Sequence, residues 1–220
     1  IYDLSKLPKE LRETIENSSK YSSWFSEFPT KLLGIDSNAK TVKGQKKNVL
    51  TGILYGIPHT GSGINMCSMA VIAECHIACL VTAGRGAMLN VFMGRLRKTL
   101  FLQQYRKEFK ILLVKDINKL VTKSNNKNMV PMVRLNGTFD YRWEVFFPEI
   151  FKMFPEVQFY DYTKIPNRKT KHIPNYDLTF SYSGVKEYQP YVKQAIANGM
   201  RLAVVFKHKD RIPAQFLGME

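Results

Sequence analysis

The sequence predicts an α/β protein in which parallel strands form a partial (β/α) barrel. Strands alternate with helices from residue 46 onward, and each strand has one apolar and one polar face. Alternating elements favour parallel pairing through right-handed crossovers. A doubly wound sheet needs apolar residues on both faces, whereas a barrel has helices outside and a polar mouth at the carboxyl ends of its strands. Because five strands are recognisable, we expect a partial barrel rather than a closed one.

The first 45 residues predict an N-terminal extension that packs on, or leads into, a barrel domain of residues 46–220. The extension is polar and irregular, with one predicted helix near residues 8–17. The first strand of the barrel domain follows at 48–57, where β-branched and other apolar residues alternate. Two helices, broken near Tyr105, occupy the proline-free stretch 87–122.

The rest of the barrel domain repeats the strand–helix pattern. Strands are predicted in the segments MVPMVRLNG, VQFYDYTK, DLTFSYS and RLAVVF. Two helices separate them: RWEVFFPEIFKMFP, which Pro155 ends, and VKEYQPYVKQAIANG, which Gly199 closes at its C-cap. Polar side chains concentrate on one face toward the carboxyl ends of these strands, which predicts a functional site at that end.

The charge of the chain predicts an anionic partner. Lys and Arg number 33 against 18 Asp and Glu, a net charge of +15. Such an excess favours nucleic acid or a phosphorylated small molecule, the alternative being a solvated lysine-rich surface. No apolar run approaches the ~20 residues of a membrane helix, and the first residues lack the apolar core of a signal peptide. We therefore expect a cytoplasmic protein with no membrane partner.

All three cysteines lie within thirteen residues, directly after the first strand of the barrel domain: Cys67, Cys75 and Cys79. An odd number of clustered thiols argues against disulfides and favours a metal site. Zinc takes four ligands and would need His59 or His76 as well. Three cysteines suit a four-iron cluster with one iron open to a small molecule. The alternative interpretation is that the thiols are small buried hydrophobes.

Two further segments carry candidate binding residues. In RLNGTFD, Asn136 and Asp140 follow the second strand and could hydrogen-bond an amine or a ribose, unless the segment is simply a tight Asn-Gly turn. In YDYTKIPNRKTK, aromatic residues alternate with cations, a pattern that can stack bases and neutralise phosphate or can form a solvated loop. The candidate phosphate or nucleic-acid contacts there are Tyr160, Tyr162, Lys164 and Arg168.

The segment AGRG offers one more cation. Its Arg85 could form a fork to a phosphate or carboxylate, or the segment could be a hinge that leads into the long helix.

A three-cysteine loop after the first strand of a partial barrel resembles the radical S-adenosylmethionine (SAM) superfamily. The spacing here is C-x7-C-x3-C, whereas that superfamily has C-x3-C-x2-C. The resemblance implies a [4Fe–4S] cluster on the three cysteines, with SAM held at the end of the second strand and on the fourth. The matching residues are Asn136, Gly137, Thr138 and Asp140 for the second strand, and Ser181 and Ser183 for the fourth.

A second resemblance covers nearly the whole chain, residues 33–218. The segments NMCSMAVIAECHIACLVTAGRG, RLNGTFDYRWE, FYDYTKIPNR and NYDLTFSYS resemble the motifs of a bacteriophage family related to phage gene product 88. The resemblance implies a phage origin and hence the cytoplasm of an infected host cell. Members of that family usually continue with an acidic motif and another strand, which implies that a final barrel strand is missing here.

These observations predict a radical-SAM-like iron–sulfur enzyme whose candidate substrate is a nucleotide or nucleic acid. SAM would supply a radical that abstracts hydrogen from that substrate, as the resemblance implies. The alternative is a basic nucleic-acid-binding phage protein on the same scaffold, with structural zinc or no metal.

Overall fold

A six-stranded sheet organises the described part of the chain. The structure is a computed structural model that describes residues 1–35, 39–208, 210 and 212–218. The strands are β1 (Leu33–Ile35), β2 (Val49–Leu54), β3 (Val130–Arg134), β4 (Gln158–Thr163), β5 (Tyr176–Ser181) and β6 (Arg201–Ala203). They lie in chain order across the sheet, with β1 antiparallel to β2 and every later pair parallel. The α/β class is confirmed, whereas the sheet is open at β1 and β6, so a barrel is not confirmed.

Eight α-helices accompany the sheet in the described residues. They are α1 (Lys9–Glu16), α2 (Ser19–Phe25), α3 (Ala39–Gln45), α4 (Leu89–Gln104), α5 (Arg106–Asn125), α6 (Trp143–Phe146), α7 (Glu149–Met153) and α8 (Gln189–Ala197). The helix predicted near residues 8–17 is α1, and α4 and α5 are the predicted pair that breaks at Tyr105. None of these helices is long and apolar enough to cross a membrane.

Two ends of helices show how single residues set the boundaries. The predicted helix RWEVFFPEIFKMFP is two short helices, because Phe147 precedes Pro148 and a residue before proline avoids the helical region. Phe147 has φ −143° and ψ 50°. After α8, Gly199 takes a φ of +66°, as the predicted glycine C-cap requires.

One face of the sheet packs against helices. A Cβ on Gly52 of β2 would lie 3.2 Å from a methyl group of Leu120 in α5. Phe151 of α7 packs edge-on against Phe159 of β4, with ring centroids 4.9 Å apart. Strands in chain order with crossovers of one hand place successive helices on the same side, so the apolar core lies between this face and the helices.

The other face of the sheet is polar and aromatic. Buried and partly exposed residues alternate along β4 and β5, as the sequence predicts for strands with one apolar face. Tyr162 remains 42 % exposed, while Thr163 beside it is buried on the helix side. The polar face carries Thr51, Arg134, Tyr160, Tyr162, Thr179 and Ser181, which alternate with the helix-facing residues.

The predicted N-terminal extension contributes to both the sheet and the core. Its β1 is an edge strand that the sequence analysis did not identify. The Asp116 carboxylate of α5 accepts the backbone N–H groups of Leu32 and Leu33 at 2.6 and 3.0 Å. The Lys98 ammonium of α4 donates to the Leu32 carbonyl at 2.7 Å. The start of β1 is therefore fastened to α5 by buried hydrogen bonds and to α4 by a partly buried one.

Candidate functional site

A cavity of about 730 Å³, here called the carboxyl-end cavity, lies at the carboxyl ends of the parallel strands. Ligands of open α/β sheets bind in this position, because the strand ends and the loops after them converge there. The cavity brings together ten of the predicted site residues: Cys67, Cys75, Cys79, Asn136, Gly137, Thr138, Asp140, Tyr162, Lys164 and Ser181.

The cysteine loop, residues 55–88, links β2 to α4 and forms one wall of this cavity. It consists of turns and two 3₁₀ segments rather than a regular helix. Two hydrogen bonds of 3.0 Å fasten it to the sheet: the Asp140 N–H donates to the Met66 carbonyl, and the Ser183 hydroxyl donates to the Ala73 carbonyl. These two anchors hold the loop against the ends of β3 and β5.

The three thiols are free and partly buried. Burial raises the pKa of Cys67 to about 12, and the nearby Asp140 carboxylate adds to this shift. Burial also raises the pKa of Cys75, although the Lys164 ammonium opposes it. Both thiols are therefore protonated at neutral pH.

The cavity does not hold a preformed metal centre within the described residues. No group of three or more His, Cys, Asp or Glu side chains there is gathered so that it could hold a metal ion. The types of donor atom around the cavity nevertheless fit a metal centre. Three thiols lie on a single cavity, and the rings of His59 and His76 lie 5.6 Å apart beside them. The assignment of the cysteines as metal ligands stays a prediction. It requires the loop to move so that the three thiols come closer together.

Asn136 supports the cavity wall. Its side-chain N–H donates to the Tyr141 carbonyl at 3.0 Å, and its side-chain oxygen accepts from the Tyr141 N–H and the Trp143 indole at 3.1 and 2.8 Å. These bonds reach five and seven residues along the chain, so they are not the tight Asn-Gly turn that was the alternative to a binding role. A SAM contact at Asn136 would have to replace these bonds.

Gly137 and Thr138 bring the wall close to β2. A Cβ on Gly137 would lie 2.5 Å from the Leu54 carbonyl oxygen, so only glycine allows this approach. The Thr138 hydroxyl donates to the Gly56 carbonyl at 2.6 Å. The wall at the end of β3 is thus tied directly to the start of the cysteine loop.

Arg168 is placed differently from the sequence-based expectation of a phosphate contact. Its guanidinium side chain has no exposed area and lies 3.1 Å from Asp140 and 2.6 Å from Glu144. Burial raises the pKa of Asp140, and Arg168 opposes the shift. Because the two carboxylates hold this cation inside the protein, it offers no surface to a nucleic acid.

The remaining predicted contacts are dispersed. Arg85 is exposed on a 3₁₀ turn, outside the residues that line the carboxyl-end cavity. Tyr160 is half-buried on the polar face of the sheet. The Lys164 ammonium donates to the carbonyls of Ser181 and Tyr182, both at 2.8 Å, which binds the end of β4 to that of β5.

Arg134 is a cavity residue that the sequence analysis did not select. It lies on the polar face of β3, and its guanidinium is 5.1 Å from the centre of the Tyr162 ring. Its Nε is buried with no hydrogen-bond partner among the described residues. The alternation of β3 already placed this cation on the polar face, so the signal was available.

Comparison with known proteins gives a family but no characterised relative. The sequence profile of the family described as Gene product 88 matches residues 30–220. The chain belongs to the gene product 88 family. The match spans β1 to β6 and every residue of the carboxyl-end cavity. No curated protein and no solved structure matches significantly. The resemblance to a phage gene product 88 family is thereby confirmed, while the comparisons give no support to a radical SAM relationship.

Proposed function

We propose that the carboxyl-end cavity is the active site of a radical-SAM-like iron–sulfur enzyme built on a partial barrel. One observation carries the proposal: the only thiols of the chain, Cys67, Cys75 and Cys79, line a single cavity at the carboxyl ends of parallel strands. Three thiolates with no fourth cysteine suit a [4Fe–4S] cluster that keeps one position for a small molecule. Such a cluster with SAM supplies radical chemistry that abstracts hydrogen from a substrate.

The cysteine loop is suited to a metal site that forms only when the metal binds. The anchors at Met66 and Ala73 fix its path, and the stretches after each anchor carry the thiols. Metal ligands must lose their protons, so loading releases protons and becomes more favourable as pH rises. Lys164 assists at Cys75, because its charge favours the thiolate there.

The hydrogen bonds within the cavity wall reduce the number of predicted side chains that remain to contact SAM. The side chains of Asn136 and Asp140 are engaged by protein partners, so they position the wall. Thr138 and Ser181 line the same cavity with hydroxyl groups, and these are the side chains we assign to SAM. The Thr138 hydroxyl already donates to the Gly56 carbonyl, so it can only accept a hydrogen bond from SAM. The substrate would then lie beside them, over the polar face of the sheet.

Anaerobic reconstitution with iron and sulfide tests this proposal. We expect absorbance near roughly 400 nm and about four irons per chain. Single replacement of Cys67, Cys75 or Cys79 by Ala should remove most of this absorbance. Ser68→Ala, an exposed position in the same loop, is the matched control and should load like the parent chain. Iron uptake that is equal in the cysteine variants and the control would contradict the assignment.

The same preparation tests the alternative of a basic nucleic-acid-binding protein. Lys169, Lys171 and Arg201 line a pocket of about 600 Å³ at the amino ends of β5 and β6, away from the thiols. A chain that takes up no iron yet binds single-stranded DNA with an affinity that falls steeply with salt would favour this alternative. Lys169→Gln with Lys171→Gln should then weaken binding more than Lys115→Gln with Lys119→Gln on α5, which makes the same change in charge.

A further inference from the structure

The floor of the carboxyl-end cavity carries a cation with unused donors. Arg134 lies in β3 on the polar face of the sheet and lines the cavity. Its Nε is buried without a hydrogen-bond partner among the described residues. The side chain as a whole is partly exposed, and no hydrogen bond or ion pair joins it to the described residues. A guanidinium that lines a cavity without an acceptor of its own is open to one from a bound molecule.

The other charges on the cavity wall are already engaged. Asp140 pairs with Arg168 and accepts the Thr163 hydroxyl and the Lys164 N–H. The Lys164 ammonium donates to two carbonyl groups. Arg134 is therefore the cation of this wall whose donors remain for a ligand, and a guanidinium selects phosphate or carboxylate.

An aromatic ring lies beside this cation. Tyr162 of β4 lines the same cavity, remains 42 % exposed, and has its ring centre 5.1 Å from the Arg134 guanidinium. An exposed tyrosine ring stacks on a nucleobase with little regard to its sequence identity. An anion site and a stacking surface thus lie side by side, in a cavity of about 730 Å³, which is within the usual size of small-molecule sites.

We propose that the carboxyl-end cavity binds a mononucleotide, with the phosphate on Arg134 and the base on Tyr162. The inference deepens the proposed enzyme function, and rests on it, in naming the class of substrate. The binding itself needs neither metal nor SAM. It can therefore be measured on the chain as purified without iron.

Calorimetric titration with AMP, adenosine and inorganic phosphate tests the two halves of the site separately. We expect AMP to bind at least about tenfold more tightly than either adenosine or phosphate. Arg134→Met should weaken AMP binding about tenfold or more and leave adenosine unchanged. Tyr162→Leu should weaken AMP and adenosine alike and leave phosphate unchanged.

Arg106→Met is the matched control. It removes a guanidinium that lies 5.1 Å from the Phe146 ring, outside the carboxyl-end cavity, and should leave AMP binding unchanged. Arg134→Lys keeps the charge and should retain more AMP affinity than Arg134→Met. Thermal unfolding of each variant establishes that it is folded before titration.

Three results would overturn the inference: no AMP binding by the parent chain, AMP binding no tighter than phosphate, or AMP affinity unchanged in Arg134→Met. Failure of AMP binding in a chain that loads iron through its cysteines refutes the mononucleotide and leaves the enzyme proposal standing. AMP binding by a chain that never loads iron supports the mononucleotide site and refutes the enzyme proposal.

Discussion

Cys67 shows how the surroundings of a single residue determine its chemistry. Its thiol lies against the cavity wall, where burial and the Asp140 carboxylate raise its pKa to about 12. The thiolate is the form that attacks electrophiles and binds metals. At neutral pH the protein therefore holds this thiol in an unreactive form, and any metal that binds it has to displace its proton.

Alkylation rates test this environment directly. At pH 8, iodoacetamide should modify Cys67 at least about 100-fold more slowly in the folded chain than in the urea-unfolded chain, because an unperturbed cysteine titrates near pH 8.5. Mass spectrometry of the peptide that contains Cys67 gives both rates. Equal rates in the two states would show that the thiol is not buried as described.

Single residues also mark the limit of what the sequence predicts about the site. Cys67, Thr138, Tyr162 and Ser181 line one cavity, and the sequence can indicate this because each follows or ends a strand that alternation identifies. The role of Arg168 was not predictable in this way. Its partner Glu144 lies in α6, and the distance between them depends on how two strand–helix units pack together.

The cysteine loop is the element on which the proposed chemistry depends. It is long and irregular, and two of its non-glycine residues, His59 and Glu74, have positive φ values of 49° and 52°. Such conformations persist when surrounding contacts determine them. The Ser183 hydroxyl, bound to the Ala73 carbonyl one residue before Glu74, is one of those contacts.

Removing that anchor should loosen the loop without unfolding the chain. Ser183→Ala should raise amide hydrogen exchange across residues 67–79 and cost about 1 kcal/mol of unfolding free energy, the usual net value of one hydrogen bond. Ser26→Ala removes a comparable hydroxyl-to-carbonyl bond, 2.8 Å to Ser23, and should leave exchange in the loop unchanged. Exchange in the loop that is the same in both variants would contradict the role of Ser183.

At the scale of elements, the sequence predicted the strands and helices that have a clear period. The strands β2 to β5 and the helices α4 and α5 follow apolar patterns of two and of three to four residues. The strand β6 lies within the longer apolar segment RLAVVF. The strand β1 spans three residues, too few for alternation to show. Its place in the sheet comes from antiparallel pairing with β2 and from long-range hydrogen bonds to Asp116, which no local pattern reports.

At the scale of the whole molecule, a buried network of charged and polar groups beneath the carboxyl-end cavity connects several elements. Asp161 of β4 accepts the Asn136 N–H at 2.7 Å and the Tyr176 hydroxyl at 3.1 Å. The same hydroxyl accepts from Arg168 at 3.0 Å. Complete burial raises the pKa of Asp161 to about 7, and the hydrogen bond from Asn136 opposes that shift. The network joins β3, β4, β5 and the loop after β4, so its protonation affects global stability.

Stability should fall as pH rises from about 4 to 7 through this group. In that window the folded chain keeps a proton on Asp161 that the unfolded chain, with a carboxyl pKa near ~3.9, has lost. The contribution of Asp161 to the free energy of unfolding is fully present below the carboxyl pKa of the unfolded chain. It is lost once the pH exceeds the pKa of Asp161 in the folded chain. Urea unfolding at pH 5, 6, 7 and 8 measures it, with a slope of up to about 1.4 kcal/mol per pH unit.

Asp161→Asn should reduce the fall of the unfolding free energy with pH, because an amide replaces the titrating carboxyl group. Asp177→Asn, at a partly exposed carboxylate paired with Arg201, is the control and should retain the parent slope. A decline that is unchanged in Asp161→Asn would assign the pH dependence to another group.

The order of the strands has a consequence for how the protein is made. Neighbours in the sheet are also neighbours along the chain, so each strand that emerges from the ribosome finds its partner already synthesised. The cysteine loop emerges early, but its anchor at Ser183 is translated only after β5. Any cofactor enclosed by the finished loop is therefore acquired only after β5 and Ser183 have left the ribosome.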